Sequence, residues 1–187
     1  MEGCKTVSTP LDNNKALKKE DGSPKADESK FRSLIGSLLY LTATRPDIMY
    51  AVSLLSRFMH DPSQVHYGAA KRILRYLQGT KLYGIWYEVM NESKLIGYTD
   101  SDWAGSMDDM KSTSGYAFTL GSGIFSWASK KQATVAQSSA GAEYIAAAMT
   151  TSQAIWLKKI LEDMGESQKE ATKIYCDSNG EKSSISQ

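Results

Sequence analysis

The stretch Lys94-Leu95-Ile96-Gly97-Tyr98-Thr99-Asp100 predicts a β-strand that ends in an aspartate. Tyr175-Cys176-Asp177 ends the last predicted strand, which begins at Thr172, in the same way. A hairpin and a long helix lie between them, and the helix is opened by Ser138 or Ser139 and runs to about Asp163. If the two strands are parallel neighbours, the helix is their crossover. Both aspartates then lie at the carboxyl ends of adjacent strands, where open α/β sheets usually bind ligands.

Three carboxylates are predicted to meet at that edge: Asp100, Asp177 and Glu143, which we place in the first turn of the helix. Each also has a plainer interpretation, because strand-end turns and the first turns of helices favour acidic residues. Three like charges packed together repel one another unless a cation lies among them. Carboxylate oxygens suit Mg²⁺ or Mn²⁺, and two such ions ~3.5–4 Å apart can clamp a phosphodiester. The pattern therefore predicts a metal site with Asp100 as bridging ligand and Glu143 and Asp177 as flanking ligands.

Three regions are predicted along the chain. Residues 1–28 are polar and mixed in charge, which predicts a flexible linker or tail. Residues 29–80 contain three helical stretches, at 31–41, 48–59 and 64–78. Residues 81–187 contain strands and the long helix; besides the two strands already described, the predicted strands are 83–89, 114–120 and 124–128. This order predicts a mixed α/β fold preceded by a small helical segment.

Two of the predicted helices have distinct faces. The third helix has an apolar face formed by Val65, Ala69, Ile73, Leu74 and Leu77. Its opposite face is basic, with Lys71, Arg72 and Arg75, and is either solvated surface or a stripe that contacts phosphates. The apolar face of the long helix is predicted from Ile145, Ala148, Met149, Ile155, Trp156 and Ile160.

The composition is that of a globular chain. It has 187 residues, of which 41% are hydrophobic, and a net charge of +1, which excludes wholly disordered and membrane-embedded classes. No stretch approaches the ~20 apolar residues of a transmembrane span, and no signal-peptide pattern opens the chain. Its two cysteines, Cys4 and Cys176, are too few for a disulfide framework, so a reducing compartment is expected.

The motif Tyr98-Thr99-Asp100-Ser101-Asp102-Trp103-Ala104-Gly105 resembles the one that opens the RNase H domain of copia-type LTR retrotransposon Pol polyproteins. Further motifs similar to those of the family follow in the same order, at residues 111–116, 126–132, 142–144, 155–157 and 175–177. Upstream, 36–41, 44–47 and 71–77 resemble the segment that follows the reverse-transcriptase palm. The resemblance covers essentially the whole chain, and it implies an RNase H-like fold preceded by the end of a reverse transcriptase.

The resemblance also implies an activity, which is cleavage of the RNA strand of an RNA–DNA hybrid. Asp100, Glu143 and Asp177 match three members of the family's acidic metal-binding set, which implies Mg²⁺ or Mn²⁺ as a pair of ions. The family distinguishes RNA from DNA through 2′-hydroxyl contacts. The polar neighbours expected near the substrate backbone are Ser101, Ser138, Ser139 and Asn179. The expected locations are intracellular, either a cytoplasmic virus-like particle or the nucleus, and the rest of a Pol polyprotein is an expected partner.

The chain departs from the family pattern at its end. RNase H domains normally have a fourth carboxylate tens of residues beyond the third, whereas this sequence ends at Gln187. Two alternatives therefore stand beside an active nuclease. One is a catalytically dead fragment that binds nucleic acid or protein or serves as a repurposed effector, and the other is a fragment too incomplete to fold stably.

Overall fold

The computed structural model describes the chain except residues 1–2, 13–15, 91–92, 179–180 and 186–187, and it describes only the backbone of 177–178 and 181–185. The chain forms two compact units. The helical unit is Met1–Gly84 with Ser106–Asp108, and the sheet unit is Ile85–Gly105 with Asp109–Gln187. None of the described helices has the length and hydrophobicity needed to cross a membrane.

The helical unit contains the three predicted helices. They are α1 (Glu28–Leu41), α2 (Met49–Ser56), which follows a short 3₁₀ helix at Pro46–Ile48, and α3 (Gln64–Gly79). Asp27 caps α1, since its side chain accepts a hydrogen bond from the backbone N–H of Lys30 at 3.0 Å. The largest fully buried apolar side chains of this unit are Phe31, Ile35, Ile48, Val52, Leu55 and Ile73.

The buried face of α3 matches the predicted one except at the start of the helix. Val65, which the apolar pattern placed in the core, is 43% exposed, whereas His66 is fully buried. The other buried residues of the helix are Ala70, Ile73 and Tyr76. Of the other predicted residues, Ile73 is buried, and Ala69, Leu74 and Leu77 are partly buried against the core. The prediction therefore fails only at the start of the helix, where hydrogen bonds of His66 keep a polar ring in the core.

The described part of the first 28 residues packs on the three helices of this unit. Leu17 belongs to the core with 9% exposure. The backbone N–H of Ala26 donates to the Pro62 carbonyl at 2.8 Å, and that of Gln64 donates to the Pro24 carbonyl at 2.9 Å. This part of the predicted linker is therefore packed on the helices and held by backbone hydrogen bonds.

A buried polar cluster caps α3. The Ser63 hydroxyl accepts a hydrogen bond from the backbone N–H of His66, and the ring Nδ1 of His66 accepts one from the backbone N–H of Ser63 at 3.0 Å. Ser63 also donates its hydroxyl to Asp21. Hydrogen bonds from Ser23 and Ser63 lower the pKa of Asp21 to about 2. Burial lowers the pKa of His66 and outweighs the opposing effect of the Asp21 carboxylate.

This cluster predicts that acid destabilises the protein in two steps. Because folding lowers the pKa of His66, the unfolded chain takes up a proton first, and stability falls as the pH drops from about 6.5 towards the lower folded value. The contribution of Asp21 is present above its ordinary value of 3.8 and is lost as the pH falls towards about 2. Urea unfolding between pH 8 and pH 2 measures both steps.

Two single variants identify the first step. His66→Gln keeps a side chain that can accept the cap hydrogen bond but cannot titrate, so it should flatten the stability profile between about pH 7 and pH 5. His60→Gln, at an exposed histidine, should leave the profile unchanged. An unchanged profile in His66→Gln would show that this histidine is not the source of the acid sensitivity.

The sheet unit is a five-stranded mixed sheet with one long helix. Its elements are β1 (Leu95–Ser101), β2 (Thr113–Leu120), β3 (Gly123–Lys131), α4 (Ser139–Asp163), β4 (Lys173–Ser178) and β5 (Glu181–Ile185). The strand order is β3-β2-β1-β4-β5. Among the described strand pairs, β1–β4 is parallel and the others are antiparallel. The β2–β3 hairpin and α4 connect β1 to β4, as predicted. This mixed α/β architecture is consistent with an RNase H-like fold.

The predicted strand at 83–89 is not a strand in the structure. Its contacts with the β2–β3 turn use side chains: the Tyr87 hydroxyl donates to the Ile124 carbonyl at 2.7 Å, and the Ser122 hydroxyl accepts the Glu88 N–H at 2.8 Å. Leu82 and Val89 are fully exposed. The alternation of apolar residues was therefore misleading, because no sheet ladder forms here.

The buried face of α4 also differs from the predicted one. Ile155 and Trp156 are 46% and 55% exposed. The residues that face the sheet are small ones followed by two leucines: Ala142, Ala146, Ala147, Thr150, Ala154, Leu157 and Leu161. Small side chains let the helix approach the strands closely, so size rather than hydrophobicity selects this face.

Candidate acidic site at the carboxyl edge of the sheet

The parallel register of β1 and β4 brings the two Tyr-x-Asp sequences side by side. Tyr98 pairs with Tyr175 and Thr99 pairs with Cys176. The two tyrosine rings stack with their centroids 5.5 Å apart and an interplanar angle of 23°. Asp100 and Asp177 are the next residues of the two strands. The backbone therefore places both aspartates at neighbouring positions of one sheet edge.

Asp100 is exposed at the end of β1. The preceding residue, Thr99, faces α4 instead, where its hydroxyl is hydrogen-bonded to the Thr150 hydroxyl at 2.8 Å. Successive residues of a strand alternate between the two faces of a sheet. The Asp100 carboxylate thus lies in water at the rim of the sheet, where it is available to a cation or a substrate.

Glu143 lies in the second turn of α4 rather than in the predicted first turn. The helix begins at Ser139, and no acidic residue occupies its first turn. Glu143 is half-buried. Burial raises the pKa of the Cys176 thiol, and the Glu143 carboxylate raises it further. Glu143 therefore acts electrostatically on the residue that directly precedes Asp177 in β4.

The side chain of Asp177 and the whole of Asn179 lie outside the described residues. Among the side chains that are described, no group of three His, Cys, Asp or Glu residues could hold a metal ion. The set of Asp100, Glu143 and Asp177 therefore stays a prediction. Its donor chemistry fits a hard cation, since Asp100 and Asp177 occupy neighbouring backbone positions at one edge and the buried Ser101 hydroxyl beside Asp100 has no hydrogen-bond partner among the described groups.

Asp102 has a structural role that its place in the motif did not indicate. Its carboxylate accepts a hydrogen bond from the Thr113 N–H, and its own N–H donates to the Thr113 carbonyl at 3.1 Å. A Cβ at Gly105 would collide with this carboxylate, so any larger residue there would displace it. Ala104 has a φ of +53°. The Asp102 carboxylate therefore shapes the loop after β1, which no sequence spacing could reveal.

The Trp103 indole N–H donates to the Ala136 carbonyl at 3.2 Å. This bond joins the loop after β1 to the segment that leads into α4. Trp103 remains 56% exposed, so its ring lies at the rim of the acidic edge rather than in the core.

The three predicted substrate-binding serines are all described. Ser138 is the N-cap of α4, where its hydroxyl accepts a hydrogen bond from the Gly141 N–H at 3.1 Å. Ser139, the first residue of the helix, is exposed, and Ser101 at the end of β1 is half-buried. Ser138 thus has a capping role besides any contact with substrate.

The predicted basic stripe lies on α3, in the helical unit. The Lys71 ammonium lies 4.5 Å from the centroid of the Tyr67 ring. Arg72 donates to the carbonyl and hydroxyl of Thr9, at 3.2 and 2.9 Å. Arg75 is half-buried. Arg72 therefore holds the N-terminal segment, which is a structural role that the basic pattern did not indicate.

No protein-family model and no solved structure matches the chain. Curated relatives match it throughout its length. The retrovirus-related Pol polyprotein from transposon RE1 of Arabidopsis thaliana is 45% identical over 180 residues, which are 96% of this chain and 12% of the relative. That from transposon TNT 1-94 of Nicotiana tabacum is 43% identical over 185 residues, 95% of this chain and 14% of the relative.

A shorter relative matches over most of its own length. The secreted RxLR effector protein 161 of Plasmopara viticola is 48% identical over 128 residues, which are 68% of this chain and 90% of that protein. The chain spans only about an eighth of the length of the Pol polyproteins, and the match with them includes both units of the structure. The chain belongs to the family of retrovirus-related Pol polyproteins from copia-type transposons.

Proposed function

We propose that the sheet unit is an RNase H-type nuclease that hydrolyses the RNA strand of RNA–DNA hybrids. The observation that supports this most is the parallel register of β1 and β4, which leads to Asp100 and Asp177 at adjacent positions. Glu143, on the helix that connects these strands, acts electrostatically on the residue before Asp177. Acidic residues at one edge of a parallel strand pair suit chemistry on a phosphodiester.

Asp100, Glu143 and Asp177 would hold Mg²⁺ or Mn²⁺, as a pair of ions. Their carboxylate oxygens are the ligands that these cations prefer. When bound, the ions would supply Lewis-acid stabilisation of the negative charge on the reacting phosphate.

The reaction is the addition of water across one phosphodiester bond. The oxygen of water forms a bond to phosphorus, the bond from phosphorus to the 3′ oxygen breaks, and that oxygen takes up a proton. One product then ends in a 3′-hydroxyl and the other in a 5′-phosphate. The exposed Asp100 at the strand end leaves room for a nucleic-acid backbone to approach.

Contacts with substrate are proposed for the polar residues around the edge, which are Ser101, Ser138, Ser139 and Asn179. Hydroxyl and amide groups can hydrogen-bond both a phosphate and a 2′-hydroxyl, and the 2′-hydroxyl distinguishes RNA from DNA. Lys71, Arg72 and Arg75 are a second proposed contact, with phosphates. Arg72 donates a hydrogen bond to Thr9, so it would have to give up that bond in order to bind a phosphate.

The whole-protein context is also a proposal. A chain of this family would act with the rest of a Pol polyprotein, including a reverse transcriptase, in a cytoplasmic virus-like particle or in the nucleus. RNA–DNA hybrids are the product of reverse transcription, so such a partner would supply the substrate.

The direct test uses three labelled duplexes of one sequence: an RNA–DNA hybrid, an RNA duplex and a DNA duplex. The full chain should cleave only the RNA strand of the hybrid, in Mg²⁺ or Mn²⁺, and should stop when a chelator is added. The fragments should have 3′-hydroxyl and 5′-phosphate ends.

Two outcomes would contradict the proposal. Folded protein that binds the hybrid but cleaves it with neither cation would be a binding module, with affinity that weakens as salt rises. Equal cleavage of the RNA duplex would indicate a nuclease of another specificity.

A further inference from the structure

We propose that Gln132 is a positioning residue, which fixes the second turn of α4, with Glu143, against the strand pair that ends at Asp100. The inference deepens the proposed function and rests on it for its effect on cleavage. The effect of Gln132 on the structure is independent of the proposed function and can be measured in the protein alone.

Gln132 connects three elements of the sheet unit. It directly follows β3 and is 6% exposed. Its side-chain Nε2 donates to the Ser114 hydroxyl of β2 at 2.8 Å and to the Ala142 carbonyl of α4 at 2.9 Å. Its backbone N–H donates to the Ser112 carbonyl at 2.8 Å. One buried amide group therefore joins the helix to the sheet.

Both side-chain partners are adjacent to proposed site residues. Ala142 directly precedes Glu143 in α4. Ser114 pairs across the sheet with Ser101, which directly follows Asp100. Gln132 thus connects the helix backbone beside Glu143 to β2, and β2 pairs with the end of β1 beside Asp100.

The need for a directional contact follows from the side chains of α4. At this end of the helix the residues that face the sheet are Ala142, Ala146 and Ala147. Methyl groups pack closely but interlock little, so they leave the rotation and height of a helix weakly determined. A hydrogen bond to a helix carbonyl fixes both the rotation of the helix and its height above the sheet. A further hydrogen bond between α4 and the sheet joins the hydroxyls of Thr150 and Thr99, two turns further along.

A buried polar region surrounds this contact. Among the described side chains, the Ser101 hydroxyl and the Gln132 carbonyl oxygen are buried without a hydrogen-bond partner. Buried polar groups are expected to be paired, and exceptions point to strain or to a function. An apolar side chain at position 132 would fill the space more simply, which argues that the amide is there for its direction.

The test compares Gln132→Leu with Gln168→Leu. Leucine has a similar volume and cannot hydrogen-bond. Gln168 is a matched control at the opposite end of β1, where its side chain accepts the Leu95 N–H and donates to the Ser93 carbonyl, both at 3.0 Å. It therefore makes the same kind of contact with the same sheet, away from the acidic edge.

Two readouts are measured on both variants. In hybrid cleavage, Gln132→Leu should lower kcat or raise the Mn²⁺ concentration for half-maximal rate by roughly 10–100-fold, with KM for the hybrid unchanged. Gln168→Leu should leave both near wild type. In hydrogen exchange, Gln132→Leu should speed exchange of the backbone amides at 140–147 and leave those at 154–163 unchanged.

Each failure has a separate meaning. Wild-type protein that does not cleave the hybrid overturns the proposed function, and hydrogen exchange then still decides the positioning role. Folded Gln132→Leu with wild-type exchange at 140–147, or with wild-type kcat and Mn²⁺ dependence, overturns this inference. If Gln132→Leu does not fold, Ser114→Ala removes one acceptor of Gln132 and should shift both readouts in the same direction by a smaller factor; no shift overturns the inference.

Discussion

Asp100→Asn is expected to lower hybrid cleavage by roughly 10²–10³-fold or more, with little change in stability. The substitution replaces a carboxylate by an amide of the same shape and removes one negative charge from the proposed cation ligands. Asp100 is exposed at the end of β1, and exposed substitutions of this kind usually change stability by less than about 0.5 kcal/mol. The measurement is the rate of cleavage of a labelled hybrid in Mg²⁺ and in Mn²⁺, with thermal unfolding recorded on the same samples.

Asp102→Asn is the charge-matched control for this prediction. Asp102 lies two residues further along, and its carboxylate accepts the Thr113 N–H, a bond that an asparagine oxygen can still accept. The control should keep most of the activity and lose some stability. Equal losses in both variants would mean that negative charge near the edge matters in general, rather than a ligand role of Asp100. Wild-type activity in Asp100→Asn would exclude that role and would point to a contaminating nuclease.

Strands β1 and β4 and their parallel arrangement were predictable, whereas the strand predicted at 83–89 does not form and β5 was not predicted. Tyr98-Thr99-Asp100 and Tyr175-Cys176-Asp177 each end a run of strand formers, and a helix of crossover length separates them. The observed register, Thr99 opposite Cys176, follows from these sequences once the strands are parallel. The neighbouring backbone positions of Asp100 and Asp177 could therefore be inferred from the amino-acid sequence alone.

The faces of the helices were less predictable, because burial is decided by the partner as well as by hydrophobicity. In α4 the sheet selects Ala142, Ala146 and Ala147, and it leaves Trp156 55% exposed. In α3 the buried position is taken by His66, whose ring stacks on Phe58 with the centroids 3.9 Å apart. Neither choice is visible in an apolar pattern, since both depend on the shape and hydrogen bonds of a distant segment.

The polar contacts of the site were not predictable for the same reason. Gln132 and Asp102 hydrogen-bond to Ala142 and Thr113, which are 10 and 11 residues away in sequence. Such pairs form only once strands and loops are in register, and no spacing rule identifies them. The sequence can indicate which residues have suitable chemistry, whereas the structure is needed to tell ligands from supports.

Asp47→Ala is expected to destabilise the helical unit by about 2–3 kcal/mol. Residues 44–47 belong to the stretch that resembles the family, and two of them, Arg45 and Asp47, have a structural role. The Asp47 carboxylate accepts hydrogen bonds from Arg45 at 2.9 and 2.7 Å and from the Tyr76 hydroxyl at 2.8 Å. Arg45 also donates to the carbonyl and hydroxyl of Thr80, at 3.2 and 2.7 Å. The end of α3 is thereby tied to the start of α2.

The cost should be large because the partners are poorly hydrated. The side chain of Arg45 is 13% exposed and Tyr76 is 7% exposed. Burial opposes ionisation of Asp47, but the bonds from Arg45 and Tyr76 outweigh it and hold the pKa of Asp47 below its ordinary value. Removing the carboxylate leaves a guanidinium and a phenol hydroxyl that water reaches with difficulty, and the lost bonds are not replaced.

Urea unfolding followed by far-UV circular dichroism measures this loss, with Asp61→Ala as the matched control. Asp61 pairs with Lys25 at 2.5 Å, but both side chains are 63% exposed, so its removal should cost less than about 1 kcal/mol. All four tryptophans lie in the sheet unit, so their fluorescence reports on that unit separately. Because Arg45 and Asp47 belong to one network, the double variant Arg45→Ala/Asp47→Ala should cost less than the sum of the two single variants. An Asp47→Ala loss no larger than that of Asp61→Ala, or strict additivity in the double variant, would mean that water compensates this network and that the helices are held by their apolar core alone.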